Sequence, residues 1–361
     1  MIFKPFHGYN SPMTRNKRRL IFYLFVLIFL ISVPPTILYT AGYSFDWKNW
    51  RLAKTGGLYI KSTPNQAQIF IDGEKERRTP SLFSHLAPRA YNVKIEMEGY
   101  HSWEKNLNIS PKLVTEARSV LLIPTNPQAE LLSQNATTTI KDFLENSGNK
   151  KKQGQALNAA SSTPGWILKD NEIFYISEEN RNLYRSNLNG SLKEQISKNP
   201  LPEHSSYEII ASNDRNKFAV ITPQKELFLL NDEMKILESI ASGIIGAEFS
   251  NDNKRLLFFS ESEIWVLYAE EIMLQPYKKP GEKEMITRFA QKIEQAIFYP
   301  DNDHICFVIE NKIKIIELDG RDRRNIADFI TAKSPQIYYD FGNENFYYLS
   351  ENNLFRIKLK K

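Results

Sequence analysis

Cysteine is almost missing from this sequence: Cys306 is the only one in 361 residues. A single thiol excludes an intramolecular disulfide and a thiolate metal cluster. It stands in Ile305-Cys306-Phe307-Val308-Ile309, where a thiol behaves as a small buried hydrophobe rather than a nucleophile. Glycine is scarce too, at 15 residues, and there is no Gly-x-Ser-x-Gly elbow and no phosphate-cradling glycine loop. The five histidines, His7, His85, His101, His204 and His304, include no pair at i, i+4 or another metal-ligand spacing. Asp301-Asn302-Asp303-His304 has the look of an oxygen-rich cation loop. It lacks the glycine and distal glutamate of an EF-hand and is read as a side-chain-stabilised turn. Glu178-Glu179 and Glu270-Glu271 are neighbours in sequence. On a strand such neighbours point to opposite faces, so they do not face each other across a cleft as a glycosidase pair must. No catalytic, cofactor-binding or metal-binding residue is assigned, no cofactor is expected, and the chain is read as a non-enzyme.

Charge of either sign is absent from residues 20–42, and acids are absent from residues 1–19, which hold Lys4, Arg15, Lys17, Arg18 and Arg19. These five cations account for the whole formal net charge of +5, so the remaining chain balances 42 basic against 42 acidic groups. A neutral body has no electrostatic footprint for nucleic acid, and that class of partner is excluded. Leu20–Ala41, "LIFYLFVLIFLISVPPTILYTA", is long enough to cross a hydrocarbon core of about 30 Å. The basic cluster before it predicts a cytoplasmic N-terminus (1–19), a transmembrane helix (20–41) and everything after it on the outer side. Tyr39, Tyr43, Phe45, Trp47 and Trp50 then form the outer interfacial belt. Pro34-Pro35 weakens the helix and raises the rival reading of a cleaved signal peptide. Tyr39 at the −3 position of a site after Ala41, where a small residue is wanted, favours an uncleaved anchor.

Beyond a short stalk (42–56) the pattern changes to period two. Leu58 and Ile60, then Ala67, Ile69 and Ile71, then Tyr91, Val93, Ile95 and Met97 alternate with other residues, which turns one side of each strand inward. Pro64-Asn65, Asp72-Gly73, Thr79-Pro80, Pro88 and Gly99 punctuate the runs. Leu107 and Ile109, then Val120, Leu122 and Pro124, add two short strands, so 57–124 reads as a small antiparallel sandwich. Ser62-Thr63-Pro64-Asn65-Gln66-Ala67, "QIFIDG", Thr79-Pro80 and "LAPRAYNVKIEMEGYHSW" resemble, in order, the PEGA domain of bacterial envelope proteins. Arg78 and Arg89 stand where that family has glycine. The resemblance implies an extracytoplasmic, surface-associated module without enzymatic activity.

Residues 125–163 are rich in Asn, Ser, Thr, Lys and Gly, include Lys150-Lys151-Lys152, and read as a linker or a degenerate blade. From 164 to 361 a unit recurs: "ILKDNEIFYIS" at Ile167, "SNDRNKFAVIT" at Ser212, "SNDNKRLLFFS" at Ser250, "YPDNDHICFVI" at Tyr299 and "DFGNENFYYLS" at Asp340. Each is a polar turn, an apolar strand and a second strand, spaced as propeller blades are. The units resemble the repeats of TolB-like and WD-like β-propellers, although the glycine of that family's "SPDG" turn is missing.

The fold class expected is therefore all-β outside the membrane, a PEGA-like sandwich plus a propeller, preceded by one transmembrane helix. Tyr100, Trp103 and Trp50 are weighed as sugar-stacking residues. They are assigned instead to the sandwich core (Tyr100, Trp103) and the membrane interface (Trp50). The functional expectation is an anchored binding or scaffold protein with an envelope protein or cell-wall polymer as partner. The alternative is a propeller hydrolase with a cation at the central channel, for which His204, Asp301 and His304 are the candidates.

Overall fold

The apolar run forms α1 (Arg15–Thr40), a helix that continues through Pro34 and Pro35. This computed structural model describes residues 14–46, 50–134, 163–341 and 344–359. Expectations resting on Lys4 and His7, on Trp47 and on 135–162, including Lys150-Lys151-Lys152, lie outside the described residues. Each proline removes an N–H that would bond four residues back, at Leu30 and Ile31. Beside them Thr36 Oγ1 donates to the Ser32 carbonyl at 2.7 Å. The helix is long and apolar enough to cross a membrane, and none of its residues is buried.

The chain divides into two compact units, one of residues 1–59, 82–90 and 108–116, the other of 60–81, 91–107 and 117–361. In the first, the stretch read as a stalk contains a hairpin, β1 (Tyr43–Asp46) with β2 (Arg51–Lys54), in the register Tyr43↔Lys54. The next strand is β3 (Gly56–Thr63). A Cβ on Gly56 would lie 2.3 Å from the Ser110 carbonyl oxygen, so only glycine fits there.

The PEGA-like region continues with β4 (Gln68–Ile71), β5 (Glu74–Arg78), β6 (Ser81–Leu86), β7 (Ala90–Glu96), β8 (Trp103–Asn108) and β9 (Val114–Leu121). They form a three-stranded sheet, β6-β3-β9, and a four-stranded sheet, β5-β4-β7-β8. Leu58, Ile60, Ala67, Ile69, Ile71, Tyr91, Val93 and Ile95 are all buried, as their alternation requires. β5 and β6 carry no alternating apolar signal and were not legible beforehand. Within the second unit the turn residues bond to one another. Ser62 Oγ lies 2.6 Å from Thr79 Oγ1, and Ala67 N donates to that same oxygen at 3.1 Å. Neither Arg78 nor Arg89 has a positive φ, so losing the family's glycine there costs no backbone strain.

Five four-stranded sheets then follow, all in the second unit. The first strand after the PEGA-like region is β10 (Glu130–Ser133). The first sheet is β11 (Trp166–Lys169), β12 (Glu172–Ile176), β13 (Leu183–Asn187) and β14 (Glu194–Gln195). The second is β15 (Glu208–Ala211), β16 (Phe218–Ile221), β17 (Leu227–Asn231) and β18 (Ile236–Ala241). The third is β19 (Ile244–Phe249), β20 (Arg255–Ser260), β21 (Glu263–Tyr268) and β22 (Lys283–Arg288). The fourth is β23 (Ile293–Phe298), β24 (His304–Ile309), β25 (Lys312–Glu317) and β26 (Ile326–Thr331). The last takes β27 (Gln336–Asp340), β28 (Asn345–Ser350) and β29 (Asn353–Lys358) from the end of the chain and its fourth strand, β10, from before the first sheet.

First strands of successive sheets touch, from β11 with β15 through to β23 with β27. Second strands are the most apolar and most buried: every residue of β16 and β24 is buried, because neighbouring sheets cover both faces. Among the described residues this is a β-propeller of five four-stranded blades, in which pairing of β10 with β29 ties the end of the array to the segment that precedes it.

Candidate interaction site

β8 is an edge strand whose buried residues alternate: Trp103, Lys105 and Leu107. In that register Lys105 is carried inward between two large apolar side chains, and its side chain is fully inaccessible. Its ammonium must therefore find anionic partners, since an unpaired buried charge costs several kcal/mol. They come from the fourth blade. Nζ lies 2.7 Å from Glu317 Oε1, at the end of β25, and donates to the Asp319 carbonyl at 2.7 Å. Trp103 Nε1 donates to the other Glu317 oxygen at 2.8 Å. Asn325 adds its backbone N–H (2.6 Å) and side-chain amide (2.8 Å) to Glu317 Oε1. The same amide reaches back to the Glu104 carbonyl at 3.1 Å. Asn106 N donates to Asp322 at 2.8 Å, which extends the seam along β8.

A second charged cluster adjoins it. Arg255 bridges Asp252 and Asp303, each at 2.9 Å, and Ser119 Oγ donates to Asp303 at 2.6 Å. Burial pushes Asp303 above the ordinary carboxylate range, and the charge of Arg255 only partly opposes this. Burial acts on Asp319 in the same sense, but hydrogen bonds from Arg321 and the charge of Lys105 outweigh it and hold the group low.

Of the residues weighed for hydrolysis, Asp301 and His304 do meet. Asp301 Oδ1 accepts from the backbone of Asp303 and His304, while Oδ2 lies 2.8 Å from His304 Nδ1. This is the side-chain-stabilised turn expected for the segment. Burial alone would lower the His304 pKa, but the Asp301 carboxylate prevails and holds it above the ordinary value. His204 sits elsewhere, on the loop before β15 beside Tyr207. Among the described residues no three His, Cys, Asp or Glu side chains gather as metal ligands. Cys306 is fully buried, and that burial pushes its thiol well above the usual range.

Trp103 faces the fourth blade and is 3 % exposed, so it has no open face for a sugar ring. Tyr100 is half-buried and lines a cavity of about 680 Å³ with Leu121, Tyr299, Phe329, Arg356 and Leu359. A second cavity, of about 290 Å³, is bounded by Trp103, Arg255, Tyr268, Asp303 and Glu317. Sequence reading missed Lys105 and Glu317. The signal was there in "WEKNL" and "KIKIIE", where a charged residue occupies an inward register between or beside apolar ones.

Comparison with known proteins adds the following. The PEGA domain family matches residues 55–122. No curated protein matches the sequence. Among solved structures, a chain of a nidogen/laminin complex is similar at 11% identity over 55% of this chain and 76% of that one, with a TM-score of 0.37. The β-propeller domain of Cps50 (Swd1) from Myceliophteria thermophila is similar at 6% identity over 52% of this chain and 62% of that one, with a TM-score of 0.38. An auxiliary nutrient binding protein from Bacteroides thetaiotaomicron is similar at 10% identity over 80% of this chain and 78% of that one, with a TM-score of 0.33. Residues 55–122 are thus a PEGA domain, set in the chain between an apolar N-terminal helix and a β-propeller.

Proposed function

We propose that this chain is a single-pass, membrane-anchored, non-catalytic binding or scaffold protein of the bacterial cell envelope. Its basic N-terminus is cytoplasmic, and its PEGA domain and propeller lie outside the cytoplasm. The observation that carries the reading is the use made of its buried charge. Lys105, Glu317 and Asp319 bind the β5-β4-β7-β8 sheet to the propeller, and Asp303, itself held by Arg255, accepts from Ser119 on β9 of the other sheet. Groups committed to one another in this way serve rigidity, and a rigid platform is what a scaffold needs. The 680 Å³ cavity, with Tyr100, Tyr299 and Phe329 in its wall, has the size and apolar character of a recognition pocket. Its partner is an envelope protein or a cell-wall polymer.

Photo-crosslinking from Tyr100 and Leu359 in intact cells tests this. Capture of one defined envelope partner at both positions is expected. Protease added outside the cytoplasmic membrane should degrade the PEGA domain and the propeller while sparing residues 1–19. A stoichiometric metal, or a hydrolytic activity abolished by His304→Ala, would overturn the non-catalytic reading.

A further inference from the structure

Around the exit of α1 the first unit displays apolar side chains that its own core leaves uncovered. Trp50 is 78% exposed, Leu113 62%, Leu52 51% and Val114 42%. Their place relative to the helix is set by a short relay of hydrogen bonds. Thr55 N and Oγ1 both donate to the carbonyl of Gly42, at 2.8 and 2.9 Å, just past the helix C-cap at Ala41. Lys112 N donates to the Thr55 carbonyl at 2.8 Å, and Gly57 N to the Leu113 carbonyl at 2.9 Å. The turn bearing Lys112 and Leu113 is therefore two hydrogen-bonded steps, about 10 Å, from the helix end. His85 holds β6 to the last helical turn: its ring stacks on Tyr39 with centroids 3.9 Å apart, and Nε2 lies 3.0 Å from the Tyr39 carbonyl. Hairpin β1–β2 starts at Tyr43, two residues past Ala41, and carries Trp50 and Leu52 on its second arm.

Charge follows the same geography. Among the described side chains beyond the helix, the first unit holds Arg51, Lys54, Arg89 and Lys112 against Glu116. Exposed apolar side chains beside a helix exit, in a unit with an excess of cations, match the headgroup layer of an anionic bilayer.

We infer that hairpin β1–β2 and the 110–113 turn rest in the outer headgroup layer of the bilayer that α1 crosses. They give the protein a second contact with anionic lipid that fixes the tilt of the first unit on the membrane. This rests on the membrane-spanning reading of α1. A helix alone leaves its own tilt in the bilayer free; one whose exit also seats a hairpin and a turn stands in one orientation.

The test uses the full chain reconstituted into vesicles of phosphatidylcholine and phosphatidylglycerol. Single cysteines at Leu113, Leu52, Leu27 and Met234 carry an environment-sensitive fluorophore. Cys306, fully buried, stays unlabelled in the folded protein, which the unsubstituted chain controls for. Probes at 113 and 52 are expected to emit blue-shifted light. Lipid-borne doxyl groups should quench them severalfold more than the propeller probe at 234, and aqueous iodide less. If the probe at 27 is quenched by lipid while that at 113 or 52 behaves like 234, the inference fails and the membrane span stands. If 27 also escapes lipid quenching, both readings fail. Probes at 113 or 52 shielded from lipid and iodide alike would assign the patch to a protein partner or a second copy, and would overturn the inference.

Discussion

Lys105 shows how much one inward register can commit. Its ammonium has no access to solvent, and Glu317, itself 3 % exposed, would remain buried if the lysine were removed. Lys105→Met is expected to destabilise the detergent-solubilised protein by about 3–5 kcal/mol, read from the urea midpoint, because the carboxylate loses its countercharge. A shift within experimental error would mean that Glu317 is solvated or satisfied by Trp103 and Asn325 alone. His304 supplies a prediction of the opposite chemical sign. Its folded pKa is raised above the ordinary 6.5 by Asp301, with Glu317 and Asp303 adding negative potential. A group raised on folding stabilises fully below its unfolded pKa, and the contribution disappears as pH rises through the folded one. The stability difference between the native chain and His304→Gln should thus be larger near about pH 6 than near about pH 9. A difference that is flat or grows with pH would refute the pairing.

At the scale of elements, the missing glycine of the blade turns finds its explanation. The position that family members fill with glycine falls at Arg215, Asn253 and Asn302, with φ of 62°, 60° and 61°. Asparagine tolerates this left-handed conformation better than most residues and brings an acceptor that glycine lacks. Asn253 Oδ1 accepts the backbone N–H of Asn213 in the preceding blade at 2.7 Å, and Asn302 Oδ1 that of Asn251 at 2.9 Å. The relay stops at the fourth blade, where the equivalent donor position is Pro300, which has no N–H. Asn302→Ala should cost about 1–2 kcal/mol, through both the φ penalty and the lost inter-blade bond. Asn302→Gly should cost less, since it keeps the backbone conformation. Thermal unfolding of both variants ranks the two contributions, and equal losses would show that the inter-blade bond dominates. The periodic turns were legible in the sequence, whereas the first strands of the blades, such as β15 with "EIIA", were too short to stand out.

On the scale of the whole molecule, most of the β5-β4-β7-β8 sheet shares a compact unit with the propeller. The Trp103–Lys105–Glu317 network is expected to make that unit unfold cooperatively. Variants retaining only Trp103 in the PEGA domain, or only Trp265 in the third blade, are expected to report the same urea midpoint. A Trp103 transition at distinctly lower urea would show that the sheet melts by itself.

What the sequence determined alone is whatever local pattern encodes. A charge-free run became α1, period-two alternation chose the buried face of each PEGA strand, and proline, threonine and Asp-Gly punctuation located turns such as Pro64–Ala67. Five polar turns at blade spacing announced the propeller. Tertiary structure decided what meets what: β10 completing the last blade beside β29, and Trp103 meeting Glu317 across 214 positions. Hydrophobic period specifies which side of a strand is inward, but it does not name the partner on that side. A buried lysine states only that an anion must be near, and the folded chain supplies which one.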